Sequence, residues 1–118
     1  MLPAAARLRH RDDFADVLRR GRRVTRGPLV LHAVRSTSLP TDRSGEVGPR
    51  VGFVISGKVG DAVRRNRLRR RLRHALRNRL AELPPGDLVV RVRPGAAELS
   101  YAELDRLLDD GLTTLAGR

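Results

Sequence analysis

The chain has no cysteine, so neither a disulfide nor a thiolate metal site can hold it together. Tryptophan is also missing, and Phe14, Phe53 and Tyr101 are the whole aromatic set. That is too few for a platform on which successive bases stack, so any reading of a nucleic acid must rest on backbone and shape. Lysine is nearly absent: of 25 basic residues only Lys58 is not arginine. A guanidinium forks onto phosphate better than an ammonium does, although a GC-rich coding sequence produces the same preference. No run approaches the roughly 18 apolar residues of a membrane span, and the opening Met1–Arg7 passes straight into charge. Neither a span nor a leader is expected, and the expected location is cytoplasmic. Acidic residues number only 13, which leaves a formal charge of +12 and calls for a polyanion, nucleic acid first.

What is present suits one domain over residues 1–118, since a chain of this length buries one core but not two. The 40% of apolar residues fall into short periodic runs, unlike a disordered basic tail. A first helix is predicted from Asp12 to Arg20, with Asp12 or Asp13 as cap, Phe14, Val17 and Leu18 on one face and Gly21 as the stop. A small strand around Arg23 to Thr25 and a longer one over Pro28–Arg35 follow. Alternation sets Leu29, Leu31 and Ala33 against Val30, His32 and Val34. Residues Ser36 to Pro49 read as a flexible loop and Arg50 to Ser56 as a strand. A long helix runs from Asp61 to Leu83, stopped by Pro84-Pro85-Gly86. A buried strand over Asp87–Val92 precedes a last helix that opens on the capping box Ser100-x-x-Glu103. The order α-β-β-β-α-β-α implies an α+β fold, a mainly antiparallel sheet packed with helices. One face of that sheet, walled by the first helix, would form a mildly apolar groove.

The most informative segment is Ser56–Arg73, which holds eight basic residues. Leu68, Leu72, Ala75 and Leu76 recur at helical intervals, so this helix is pinned on one side. At about 100° per residue, Asn66, Arg70, Arg73 and Arg77 project from the other, flanked by Arg67, Arg69 and Arg71. A charge run is commonly just a solvated face. Like charges at i, i+3 and i+4 nevertheless repel, which favours a bound polyanion over bare solvation. Phe14 suits core packing as well as it suits stacking on a base. His10, His32 and His74 lack the partners of a nuclease site. Asp12-Asp13 and Asp109-Asp110 are the acidic pairs a divalent cation would need, the first better read as a cap and the second without a structural account. Gly57-Lys58-Val59-Gly60 lacks the spacing of a nucleotide phosphate loop.

Arg50-Val51-Gly52-Phe53-Val54-Ile55-Ser56, Lys58-Val59-Gly60, Ala62-Val63 and Arg65-Asn66-Arg67-Leu68-Arg69-Arg70 together resemble the signature of the bacterial ribonuclease P protein subunit, with its R-N-R motif. Leu8-Arg9, Asp13-Phe14 through Gly21, Leu29-Val30-Leu31, Arg93-Pro94-Gly95-Ala96-Ala97 and Ser100-Tyr101 extend the resemblance over nearly the whole chain. It implies a subunit of a holoenzyme that binds a catalytic RNA and removes the 5′ leader of precursor tRNA. Mg2+ would be held by the RNA, the protein would bind none tightly, and no side chain of this chain would be catalytic. It assigns Lys58, Arg65, Asn66, Arg67, Arg69, Arg70 and Arg73 to the RNA subunit, and Phe14, Leu18, Val30, His32, Val54 and Ser56 to a cleft for the leader. It also implies a left-handed β-α-β crossover, against the general preference, and one protein copy in the holoenzyme, with no membrane partner. Leu18 and His32 stand where aromatic residues are common in the family, and Gly57 where lysine is. The alternatives are a ribosome-associated RNA binder, a protein-only nuclease using His32 or His74, and a polyanion or membrane-surface binder.

Overall fold

A helix, two strands joined by a tight turn, and a third strand lead into the arginine-rich helix. The computed structural model describes residues 11–35, 49–79, 81, 83 and 86–117. Helix α1 spans Arg11–Arg20, strand β1 Arg22–Arg26, β2 Leu29–Arg35, β3 Pro49–Ile55, helix α2 Ala62–Arg77, β4 Gly86–Val92 and helix α3 Tyr101–Gly117. Short 3-10 turns occupy Gly57–Val59 and Ala96–Glu98. The element order is the one read from the pattern. Residues 36–48 of the expected loop lie outside the described residues, and Pro49 already belongs to β3.

Local chemistry accounts for the boundaries. Because α1 begins at Arg11, Asp12 and Asp13 lie inside its first turn and do not cap it. The Gly21 N–H donates to the Val17 carbonyl at 2.8 Å, closing the helix. A Cβ at Gly21 would press on that carbonyl and on the Ala33 backbone, so the turn from α1 into β1 needs glycine. Between β1 and β2, Gly27 takes a φ of 57°, the left-handed region open to glycine. Asp61 caps α2 by accepting from the Arg64 N–H at 2.9 Å. The helix stops at Arg77, short of the expected Leu83. The Asn78 N–H bonds back to the His74 carbonyl, and the Arg79 N–H reaches only three residues back, to Leu76, which tightens and ends the last turn. Leu83 still packs on the core, from beyond the helix. The capping box forms in both directions: the Ser100 N–H donates to Glu103 Oε1 at 2.8 Å, and the Glu103 N–H to Ser100 Oγ at 3.1 Å.

The four strands make one sheet in the order β1-β2-β4-β3. β1–β2 and β2–β4 are antiparallel and β3–β4 is parallel, so the sheet is mixed and α2 is the crossover of a β-α-β unit. Alternation then builds two faces. On one, Leu29 and Leu31 of β2, Leu88, Val90 and Val92 of β4 and Val51 of β3 are buried under α2 and α3 with Leu68, Leu72, Leu104 and Leu108. On the other, Val17 of α1 covers Val89, with Phe14, Leu18 and Val34 around them.

His32 is buried on this second face with 3% of its surface exposed, and neither ring nitrogen has a hydrogen-bond partner. Burial, and then the charges of Arg91 and Arg23, hold its pKa below the usual 6.5. Folded His32 resists a proton that the unfolded chain accepts. Its contribution to stability is therefore complete above about pH 6.5 and declines as the pH falls towards the depressed folded value.

Leu72→Ala should lower stability in urea denaturation by about 2–5 kcal/mol, whereas Val63→Ala, at a side chain 66% exposed, should stay within about 0.5 kcal/mol. Equal losses would mean that α2 is docked on another side. His32→Leu should flatten the change in urea midpoint between about pH 7 and about pH 5. An unchanged slope would show that His32 is not the group responsible.

Candidate nucleic-acid interface

Helix α2 is held by Leu68, Leu72, Ala75 and Leu76, each no more than 2% exposed. Its outward side carries Asn66, Arg67, Arg70, His74 and Arg77. That side is turned by about one position from the Asn66–Arg70–Arg73–Arg77 line expected from the helical wheel: Arg73 is half-buried and His74 takes its place. One flank of the helix, with Arg65, Arg69 and Arg73, lies low against the fold. Arg65 Nε donates to the Gly60 carbonyl at 3.1 Å, and an Arg69 Nη donates to Asn66 Oδ1 at 2.9 Å. The R-N-R residues are thus braced at two points, while Arg67 reaches outward unbraced. Lys58 is exposed in the 3-10 turn leading to α2, adding a cation at the helix approach.

Where the carboxylates go explains why this face stays positive. Asp16 pairs with Arg20 at 2.6 Å, Asp87 with Arg50 at 2.9 Å and Asp105 with Arg79 at 2.6 Å. The hydrogen bond that the Arg79 guanidinium donates, together with its positive charge, holds the Asp105 pKa below the usual carboxylate value. Asp109 lies 3.5 Å from Arg79 and Asp110 2.8 Å from Arg26, so the second acidic pair clamps α3 to its neighbours on either side. Asp61 is a cap and Glu103 half of a capping box. Among the described residues, no carboxylate pairs with Lys58, Arg64, Arg67, Arg70 or Arg77. Nor do three histidine or acidic side chains converge among the described residues as ligands for a metal ion.

The six residues assigned to a cleft share the α1 side of the sheet but differ in access. Val30 and His32 are 4% and 3% exposed and make its floor. Phe14 and Leu18 are half-buried in the α1 wall. Val54, 38% exposed, lies on β3, and Ser56 sits just past its end as the cap of the 3-10 turn, its Oγ accepting from the Lys58 N–H at 3.1 Å. The register adds cations that the sequence reading left out: Arg23 stands opposite His32, and Arg91 lies between Val30 and Val54. The period-two alternation through Val89 would have found Arg91; placing Arg23 required the strand pairing. His32 and His74 are on opposite sides of the sheet, so they cannot form one acid–base pair, and His10 lies outside the described residues. Among the described residues no helix is long and apolar enough to cross a membrane.

Comparison with known proteins bears on this arrangement directly. The family model described as Ribonuclease P matches residues 2–116. A ribonuclease P protein component from Streptomyces griseus is 52% identical over 120 residues, covering 99% of this chain and 97% of that protein. One from Beutenbergia cavernae is 50% identical over 119 residues, covering 100% and 94%. Among solved structures, the RNase P protein from Thermotoga maritima in complex with 1-(4-fluorophenyl)-2-thiourea superposes with a TM-score of 0.75 at 28% identity, over 90% of this chain and 96% of that one. The Staphylococcus aureus RNase P protein shares the fold with a TM-score of 0.80 at 21% identity, over 93% and 94%. With the fold, the R-N-R helix and nearly every residue included in the match, the chain belongs to the ribonuclease P protein family.

Proposed function

We propose that this chain is the protein subunit of a ribonucleoprotein that removes the 5′ leader of precursor tRNA. The observation that carries the reading is the outward side of α2, where guanidinium groups without carboxylate partners among the described residues project from a helix whose other side is buried. Lys58, Arg65, Asn66, Arg67, Arg69, Arg70 and Arg73 would meet the phosphates of the RNA subunit. Phe14, Leu18, Val54 and Ser56, over the floor of Val30 and His32, would guide the single-stranded leader, with Arg23 and Arg91 near its backbone. Hydrolysis belongs to Mg2+ bound by the RNA. The protein's part is to neutralise phosphate repulsion and align the substrate, with one copy in each complex.

Two measurements test this reading. Added to a cognate RNA subunit at low Mg2+, the protein should raise the rate of precursor-tRNA cleavage; no gain would overturn the assignment. Arg67→Ala with Arg70→Ala should weaken binding to the RNA subunit and reduce the slope of log affinity against log salt by about 0.7–0.9 per lost phosphate contact. An unchanged slope would mean that these two side chains meet no phosphate.

A further inference from the structure

The flank of α2 opposite Arg65 and Arg69 does not lie flat. Arg64, Arg67, Arg71 and His74, spaced three, four and three residues apart, face the Ala96–Glu98 turn and the start of α3. Between them lies a recess in two adjoining parts, both bordered by Arg67 and Arg71. One, of about 240 Å³, reaches Ala97 and Glu98; the other, of about 400 Å³, is bounded by Arg67, Arg70, Arg71, His74 and Tyr101. The larger part is shallow and opens widely to solvent.

Its walls combine two chemistries. The His74 and Tyr101 rings lie with centroids 5.9 Å apart, tilted at 55°, and Tyr101 also rests on the core, so the two rings form one supported aromatic corner and do not cover each other face to face. Tyr101 is the first residue of α3, fixed by the Ser100–Glu103 capping box. An Arg71 Nη donates to the Leu99 carbonyl at 3.4 Å and ties that wall in place. Arg67 and Arg70, at the mouth, have no carboxylate partner among the described residues. Glu98 lines the smaller part and no carboxylate lines the larger one.

We propose that this recess holds one unpaired nucleotide of the bound RNA, its base against Tyr101 and His74 and its flanking phosphates on Arg67 and Arg70. A base in a duplex is already stacked and paired, so only a splayed nucleotide can present a ring face to a concave site. The sheet separates the recess from the α1 side, so its occupant is the RNA that covers α2 and not a strand in the leader cleft. The proposal rests on the reading of α2 as an RNA-binding face, and adds to it a single contact that recognises a base.

The chain offers its own reporter, because Tyr101 is its only tyrosine and it has no tryptophan. Titrating the full chain with its cognate RNA subunit should quench the tyrosine emission. A single-stranded oligonucleotide should quench it too, and an abasic strand of equal length should not. Tyr101→Ala and His74→Ala should each weaken binding of the RNA subunit by about 5- to 150-fold, the range for loss of one stacked base. Tyr101→Phe should bind like the parent chain, and the salt slope should be unchanged in all three. If the emission does not change at saturation, or if both alanine variants bind like the parent, the recess is empty in the complex and the proposal falls, with the α2 reading intact. Should the parent chain itself fail to bind the RNA subunit, both readings fall together. His74 is exposed on α2 and the emission test needs no variant, so a misfolded Tyr101→Ala chain would not remove the test.

Discussion

The burial of Leu68, Leu72, Ala75 and Leu76 against the sheet is the interaction on which the remaining features depend. A helix with arginine at positions 64, 65, 67, 69, 70, 71, 73 and 77 carries repulsion at every turn, and isolated it would be a poor helix. Four apolar side chains offset that repulsion by about 1.5–3 kcal/mol for each large one removed from water. They also decide which way the charge points. Rotation about the helix axis is locked because any other orientation would expose leucines and press guanidiniums on Val90 and Leu104.

The acidic residues complete this division. Among the described residues, Asp16 on α1, Asp87 at the β3–β4 pair and Asp105, Asp109 and Asp110 along α3 each pair with an arginine that serves the structure, while Asp61 and Glu103 cap helices. Surface ion pairs of this kind add little stability singly. Their larger effect is to occupy the carboxylates on the flanks of the fold, so that the outward side of α2 keeps an uncancelled field able to draw in a phosphate backbone.

Much of this was legible from residue patterns. The three- and four-residue recurrence from Leu68 to Leu76 defined the anchored side of α2, and Ser100 with Glu103 marked the start of α3. The two sheet faces followed from the alternation of Leu29, Val30, Leu31 and His32. What escaped the pattern was tertiary in origin. The end of α2 falls six residues before the point the spacing predicts, because Leu83 continues the apolar spacing although it packs from outside the helix. The outward line of arginines was misplaced by one position because a wheel carries no information about which flank is pressed down, as Arg65 is by the Gly60 carbonyl. The use of Asp109 and Asp110, and the meeting of His74 with Tyr101, depend on how α3 lies against β1 on one side and α2 with its following turn on the other, and on no local spacing.

The strand order has a consequence for biogenesis. β4 occupies an inner position, between β2 and β3, yet it follows both of them and α2 in the chain. While the polypeptide emerges from the ribosome, β2 and β3 have no shared neighbour, and the sheet can close only once residues 86–92 are available to fill the gap. Such late, non-local pairing slows folding and leaves strand edges open meanwhile. The arginine segment therefore leaves the ribosome before the strand that completes the sheet beneath it, and its charged side takes a fixed direction only when that last strand slots in.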